Sequence, residues 1–195
     1  MSRFVLIPAR RPGVPRKSLD TLDFDLLGDA VDGEARIRLR DQRNQLFADY
    51  LRRDDLVISG VPAVLERLAS RYRMAVVTSS RREHFELVHA HTRLRQYFEF
   101  VLTLEDYART KPHPDPYLGA LSRAGVSAES AVVVEDSPRG VQSAVAAGIP
   151  CLVIPRGLSR GGDFSGAHSV LEHIDQVPSA VESLEDADRI RGGPR

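Results

Sequence analysis

Two adjacent carboxylates, Glu135 and Asp136, follow the small apolar residues Ala131–Val134. Four such residues in a row predict a buried parallel strand, and Ser137 and Pro138 predict the N-cap and first turn of a helix. We therefore expect both acids at the C-terminal end of a strand, which is where ligands bind in open α/β sheets. Paired oxygen ligands suit Mg²⁺. A single acid would be enough to favour the helix N-terminus, so the pair favours a metal site.

A second polar turn, Thr78-Ser79, follows the apolar strand predicted for Met74–Val77. A hydroxyl and free backbone N–H groups ahead of a helix could cradle a phosphate. Because Ser and Thr also cap helices routinely, this turn is a weak signal when taken alone.

Lys111 lies in the loop sequence KPHPDPY, residues 111–117. Three prolines stiffen the loop, and Asp115-Pro116 is expected to cap the next helix, so the ammonium group would be held in place. Lys17 is the one other lysine among the 27 basic residues, and the rest are arginine. This usage favours a compact point charge at Lys111 over an ordinary surface lysine.

The composition sets mild bounds on the function. A hydrophobic content of 42% is enough for a real core, and 27 basic against 27 acidic residues give no reason to expect a nucleic-acid or membrane partner. The single cysteine, Cys151, excludes a disulfide framework and is typical of a buried thiol in a reducing compartment. No apolar run approaches the length of a membrane span. We expect a cytoplasmic protein.

Helical and strand patterns alternate from Val57 onward without a long linker. This alternation predicts an α/β fold in which a Rossmann-like parallel sheet is covered by helices on both faces, giving three layers. The predicted strands are 74–77, 98–102, 132–134, 151–154 and 169–171, and the predicted helices are 61–72, 83–91, 116–124, 137–147 and one from 179.

The sequences VVTSS (76–80), KPHPDPY (111–117) and VVVEDSPRGVQSAVAAG (132–148) together resemble the haloacid dehalogenase superfamily, in its β-phosphoglucomutase and phosphoglycolate-phosphatase-like branch. The resemblance covers about Val61 to Pro155, with the motifs in the family's order and at ordinary spacing. It implies the family's core fold and a Mg²⁺-dependent hydrolase that acts on a phosphate monoester through an aspartyl-phosphate. Phosphoryl transfer requires mainly positioning and positive charge, which these motifs could supply.

The resemblance also implies a role for each matching residue. Thr78 would bind the transferring phosphoryl group, with the backbone amide of Ser79 beside it. Lys111 would bridge the nucleophile and the phosphoryl oxygens. Asp136 would hold Mg²⁺, and Glu135 would do so directly or through water.

The family's nucleophile follows the first strand in a pattern of the type FDxDGT, and the sequence departs from this pattern. Residues 24–34, FDLLGDAVDGE, align without gaps to the common FDLDGTLVDSE and put Asp25 at the position of the nucleophile, which is also a metal ligand. Leu27 replaces the aspartate that acts as general acid and base, a loss of typically about 10² to 10⁴ in rate, although its backbone carbonyl could still bind Mg²⁺. Asp29 replaces the threonine and adds a negative charge.

An alternative alignment takes Phe4–Ile7 as the first strand, because this run is apolar while the residues before Phe24 are too polar for a central strand. Residues 8–10, Pro-Ala-Arg, would then stand where the nucleophile belongs. Asp32-Gly33 would be the turn of a hairpin whose second strand is 35–40, and Asp25 would be a surface acid. The sequence is compatible with both alignments.

The cap domain expected of this branch is reduced. The chain between the motif-like segment and Val61 has room for just one substantial helix, at about residues 41–53. Its apolar face is predicted to carry Leu46, Phe47, Tyr50 and Leu51. One helix cannot close a core alone, so a homo-oligomer could complete the cap, and the substrate could be a small-molecule or a protein-borne phosphate. The predicted divisions are an atypical N-terminal segment (1–35), a residual cap helix (36–58), the α/β core (59–187) and a disordered tail (188–195).

Four hypotheses about function follow. The first is a weakened Mg²⁺-dependent phosphatase that uses Asp25, and the second is a catalytically silent module that binds phosphate, metal or a protein. The third, hydrolysis of a C–X or C–P bond, is disfavoured by Glu135-Asp136 and by the lack of a Schiff-base lysine in the short cap. The fourth is an incomplete gene model whose true start lies upstream.

Overall fold

The computed structural model describes residues 4–7, 32–53, 57–90 and 92–191. Within these ranges the strands are β1 (Phe4–Ile7), β2 (Arg73–Val77), β3 (Phe100–Leu102), β4 (Ala131–Glu135), β5 (Cys151–Val153) and β6 (Ser169–Val170). The helices are α1 (Gly33–Arg53), α2 (Val61–Ala69), α3 (Arg82–His89), α4 (Asp115–Ala124), α5 (Pro138–Ala146) and α6 (Val177–Arg191).

All six strands run parallel in the order β3-β2-β1-β4-β5-β6. β1 lies in the middle, where Phe4 is paired with Arg73 of β2 on one side and with Ala131 of β4 on the other. The strand order reverses at β1, and in open α/β sheets this is the position where ligands bind beyond the carboxyl ends of the strands. A ligand site is therefore expected at the C-terminal ends of β2 and β4, the strands on either side of β1.

Helices cover both faces of the sheet, as the alternating pattern predicts. Val133 packs in a core with α4 and α5, while its neighbours Val132 and Val134 pack on the other face with α2, α3 and α6. Successive strand residues point to opposite faces, so a continuous run of valines is what a strand buried on both sides requires. The predicted three-layer α/β architecture is confirmed.

The first strand is Phe4–Ile7, as the alternative alignment expects, and Phe4, Val5 and Leu6 are almost completely buried. Residues 8–10, which follow it in sequence, lie outside the described residues. So do Asp25 and Leu27, the two members of the predicted site that belong to the gapless alignment.

The hairpin of the alternative alignment is wrong, because residues 35–40 belong to helix α1. Asp32 accepts a hydrogen bond at its Oδ1 from the backbone N–H of Ala35 at 2.6 Å, as an N-cap residue does. The helix thus begins at Gly33 rather than near residue 41, and it packs against α3. Leu46, predicted on its apolar face, is 71% exposed.

The C-terminal helix α6 continues to Arg191, so the tail predicted at 188–195 begins inside a helix. Its residues Val177, Val181 and Leu184 are buried in the core, and ion pairs lie at the surface beside them. Arg71, just after α2, donates hydrogen bonds to Glu182 at 2.8 Å and to Glu185 at 3.4 Å. No helix among the described residues is both long and apolar enough to cross a membrane.

Candidate active site

Lys111 joins the ends of β2 and β4, the two strands on either side of β1. Its Nζ donates a hydrogen bond to the backbone carbonyl of Val77 at 3.0 Å and another to Glu135 Oε1 at 2.6 Å. Only 7% of Lys111 is exposed, so this ion pair is shielded from solvent. The fold thus brings together three of the predicted positions, because Thr78 follows Val77 directly.

Tyr117, in the first turn of α4, completes the surroundings of this lysine. Its hydroxyl accepts a hydrogen bond from Lys111 Nζ at 2.9 Å and donates one to Glu135 Oε1 at 2.7 Å. The ammonium therefore uses all three of its N–H donors within the protein. Tyr117 was not predicted from the sequence as a site residue.

Glu135 is buried and has hydrogen-bonding partners for both carboxylate oxygens. Oε2 accepts from the backbone N–H of Asp136 at 3.0 Å and from the Ser137 hydroxyl at 3.1 Å, and Oε1 accepts from Lys111 and Tyr117. Burial alone would raise the pKa of Glu135, but the charge of Lys111 and these hydrogen bonds lower the pKa below its ordinary value. The carboxylate is therefore ionised and held in place by the protein itself.

The carboxylate of Glu135 lies directly against the first turn of α5. A Cβ added to Gly140 would lie 1.9 Å from Glu135 Cδ, a distance at which something must move. Ser137 caps this helix by accepting a hydrogen bond from the Gly140 N–H at 3.0 Å, as the sequence predicts. Glycine is thus required at position 140 because the Glu135 carboxylate approaches its backbone so closely. This requirement was not recognised from the sequence.

Helix α5 also anchors the loop that carries Lys111. Arg139 donates from Nε to the carbonyl of Lys111 at 2.9 Å and makes a second bond to it from Nη2. Ser143 donates from its hydroxyl to the carbonyl of His113 at 2.6 Å. The loop is thus held by side chains of α5 as well as by its own prolines, and its Lys111-Pro112 peptide bond is cis.

Asp115 does not cap α4 through its side chain, contrary to the sequence expectation. The N-cap residue is Pro114, and no side-chain cap bond forms. The Asp115 carboxylate instead pairs with both Arg109 Nε at 2.9 Å and Arg109 Nη2 at 3.1 Å, and it lies 2.9 Å from His113 Nδ1. These contacts tie the two ends of the loop together on the surface.

Thr78 and Ser79 form the turn at the end of β2. The Thr78 N–H donates to the carbonyl of Leu102 at 2.9 Å, and its Oγ1 accepts from the Ser80 N–H at 3.1 Å. The backbone N–H groups of Thr78 and Ser80 therefore already have acceptors within the protein. No acceptor among the described residues pairs with the backbone N–H of Ser79, the amide that the resemblance assigns to the phosphoryl group.

The predicted metal ligands can be compared with this geometry. Among the residues that the structure describes, no group of three or more His, Cys, Asp or Glu side chains could hold a metal ion. Glu135 has both oxygens engaged. Asp136 follows it directly, at the C-terminal end of β4 where ligands bind in open α/β sheets, and this position suits Mg²⁺. Mg²⁺ is commonly bound by one or two carboxylates together with substrate phosphate, so the described residues fit this ion through Asp136.

A family model for haloacid dehalogenase-like hydrolases matches residues 37–154. The match begins inside α1, after both predicted positions of the nucleophile. A plasmid-borne phosphoglycolate phosphatase of Cupriavidus necator is 33% identical over 173 residues, which cover 87% of this chain and 72% of that protein. Protein CbbY of Rhodobacter capsulatus is 34% identical over 115 residues, 57% of this chain and 51% of its own length. This chain thus spans about half of that second relative.

Solved structures share the fold over nearly the whole chain. CbbY from Rhodobacter sphaeroides in complex with phosphate has a TM-score of 0.71 at 21% identity, covering 91% of this chain and 96% of that one. β-Phosphoglucomutase from Clostridium difficile has a TM-score of 0.75 at 14% identity, covering 96% and 98%. The family model spans more than half of the chain, and the phosphoglycolate phosphatase is matched over most of its length. This chain belongs to the haloacid dehalogenase-like hydrolases.

Proposed function

We propose that this chain is a Mg²⁺-dependent phosphatase that binds a phosphate monoester beyond the C-terminal ends of β2 and β4. The observation that carries this proposal is the position of Lys111, which is fixed between the Thr78 turn and the acids that end β4. Phosphoryl transfer depends mainly on positioning and on positive charge near the phosphoryl oxygens. The relatives named as phosphatases support the same class of reaction.

Each residue then has a defined task. The Thr78 hydroxyl and the Ser79 amide bind phosphoryl oxygens, and Lys111 places a positive charge behind them. Mg²⁺ held by Asp136 would neutralise further charge on the phosphoryl group. Glu135 acts through Lys111, because both of its oxygens are already engaged.

The nucleophile in this proposal is Asp25, as the gapless alignment with the family's pattern implies, and this residue lies outside the described residues. Its carboxylate oxygen would attack phosphorus as the ester P–O bond breaks, and water would then hydrolyse the aspartyl-phosphate. The leaving alkoxide must take its proton from water, because Leu27 has none to give. The turnover is therefore expected to be about 10² to 10⁴ lower than with an aspartate at this position.

A second candidate is a phosphate-binding module without turnover, and the position of β1 favours it. β1 lies between β2 and β4, so its C-terminal end lies beside the proposed site. The next residues in sequence, 8–10, are Pro-Ala-Arg and carry no carboxylate. In the family the nucleophile follows this strand.

One experiment separates these two candidates. Turnover with Mg²⁺ is measured on a panel of phosphate monoesters for the parent chain, D25N and D136N, and binding of inorganic phosphate is measured by calorimetry. Turnover that is lost in D25N supports the phosphatase, and turnover that survives D25N contradicts Asp25 as nucleophile. Phosphate binding without turnover in the parent supports the silent module.

The cap is a further part of the proposal. Ile37 and Leu46 on α1 are 60% and 71% exposed, and a second copy of the chain would cover such residues and help to close the site over a small-molecule substrate. An open site in a monomer would suit a protein-borne phosphate. Light scattering coupled to gel filtration distinguishes the dimer from the monomer.

The cytoplasmic location expected from the sequence stays a prediction.

A further inference from the structure

A cavity of about 140 Å³ lies between the sheet and the layer formed by α2, α3 and α6. Aliphatic side chains form most of its wall, among them Val61, Val64 and Leu65 from α2 and Val88 from α3. Its wall reaches the end of β4, where Glu135 and Asp136 contribute to the lining. The cavity therefore begins at the acids of the proposed active site and continues into an apolar interior.

The volume limits what this cavity can hold. An engineered protein cavity of about 150 Å³ lined by aliphatic and aromatic side chains takes up one benzene molecule. A cavity of 140 Å³ is thus large enough for one six-membered ring or a branched alkyl group of similar size. It is too small for a sugar with its hydration shell, and its wall offers a sugar few hydrogen-bonding partners.

Arg156 gives the polar end of the cavity a positive charge. Arg156 is half-buried and lines the cavity together with Asp136. Among the described residues, no carboxylate lies within ion-pair distance of its guanidinium. A guanidinium beside an apolar cavity, with no carboxylate partner in the described part of the chain, suits a ligand that is anionic at one end and apolar at the other.

His89 lines the cavity, and one of its ring nitrogens is buried without a hydrogen-bond partner among the described residues. Its Nδ1 lies 3.0 Å from Thr92 Oγ1, and its Nε2 is buried with no hydrogen-bond partner in the described part of the chain. Burial lowers the pKa of His89 to about 4, so the ring is neutral near pH 7. Most buried polar atoms in proteins have a hydrogen-bond partner, so a ligand group that reaches this nitrogen could supply the missing one.

We propose that the cavity binds the organic group of the phosphate monoester, and that this group is a small aromatic or branched alkyl group. The phosphate lies at the ends of β2 and β4 near Arg156, and the apolar group enters the cavity toward His89. This inference rests on the proposed function and adds to it the chemical class of the substrate. It applies equally to a silent module, because it concerns binding.

The test compares phenyl phosphate with inorganic phosphate by titration calorimetry on the full chain, with Mg²⁺ present. We expect phenyl phosphate to bind at least tenfold more tightly than inorganic phosphate. Binding of 4-fluorophenol, followed by fluorine NMR, reports on the cavity without any phosphate. Equal affinities for the two phosphates, or no binding of 4-fluorophenol, overturn the inference and leave the proposed function intact. No binding of either phosphate overturns the proposed function as well.

Three variants locate the binding. V61F and V88F each add a ring at a half-buried position on the cavity wall, and V145F adds the same ring on α5, where Val145 is 49% exposed. Thermal unfolding first confirms that each variant is folded. We expect V61F and V88F to lose the tenfold advantage of phenyl phosphate and to keep inorganic phosphate affinity, while V145F changes neither. An advantage that persists in both filled variants contradicts the inference.

Discussion

Tyr117 donates a hydrogen bond from its hydroxyl to Glu135 Oε1 at 2.7 Å, at a point where its side chain is fully shielded from solvent. The same hydroxyl accepts from Lys111 Nζ at 2.9 Å. Burial, together with the negative charge of Glu135, raises the pKa of Tyr117 well above 10, so the phenol keeps its proton. One neutral hydroxyl thus lies between a buried cation and a buried anion and fixes the position of both.

The variant Y117F tests this arrangement. Its loss of the hydroxyl leaves Lys111 with one N–H unsatisfied in a buried site, which typically costs about 1 to 3 kcal/mol. Urea denaturation should show this decrease in the free energy of unfolding. The matched control is Y97F, because no hydrogen bond from the hydroxyl of half-buried Tyr97 is found among the described residues; it should change stability by less than about 0.5 kcal/mol. Equal effects would mean that the Tyr117 hydroxyl contributes nothing specific.

The two acids at the end of β4 should respond differently to neutralisation. D136N is expected to lower Mg²⁺ affinity at least tenfold, because Asp136 is the carboxylate whose position suits the ion. E135Q should change Mg²⁺ affinity less than twofold but destabilise the fold, since it leaves the charge of Lys111 unpaired in a buried site, at a cost of about 3 to 5 kcal/mol. Calorimetric Mg²⁺ titration and denaturation measure the two effects. A large loss of Mg²⁺ affinity in folded E135Q would show that Glu135 is a ligand after all.

Gly140 and Gly119 form a matched pair of helical glycines. In G140A the new methyl group would lie 1.9 Å from Glu135 Cδ, so the glutamate must move, and we expect a loss of about 1 to 3 kcal/mol. In G119A on α4 the nearest atom is 3.8 Å away, so the better helix propensity of alanine should stabilise the protein by about 0.5 to 1 kcal/mol. Denaturation that shows a lower free energy of unfolding for G140A and a higher one for G119A would confirm the close approach. Stabilisation by both substitutions would contradict it.

His89 predicts a dependence of stability on pH. Its pKa in the folded chain is lowered to about 4 from 6.5 because burial disfavours the charged ring. Between these two values the unfolded chain binds a proton that the folded chain does not, so stability is present above pH 6.5 and is lost as the pH falls toward 4. The full loss is of the order of 3 kcal/mol.

The measurement for His89 is urea denaturation at several pH values between about 7 and 4 for the parent and for H89L. The parent should lose stability more steeply than H89L over this range. H168N, at an exposed histidine, serves as the control and should follow the parent curve. Parallel curves for the parent and H89L would show that another group causes the dependence.

Much of the core was predictable because its residues follow simple patterns. The valines of β4, the cap at Ser137 and the left-handed glycine Gly125 after α4 all lie where local sequence indicates. The sequence could not indicate which of the adjacent acids pairs with Lys111. Successive strand residues point to opposite faces, but the choice depends on Lys111 and Tyr117, which come from a distant loop and helix.

Helix α1 shows how a local pattern can mislead. Residues 35–40 alternate between apolar residues and arginine, which is the pattern of a half-exposed strand. The cap at Asp32 and the good helix propensity of Arg, Leu and Ala outweigh this alternation. Tyr117 was missed for another reason, since a buried phenol between two charges leaves no periodic signature in the sequence.

The central place of β1 has a consequence for how the chain must fold. The four residues of β1 fill the gap between β2 and β4, and their partners in both strands lie about 70 and 130 residues further along the chain. The two halves of the sheet cannot join until this segment pairs with strands that lie much later in the chain. Contacts between such distant residues slow folding, and until they form, two apolar strand edges stay open to self-association.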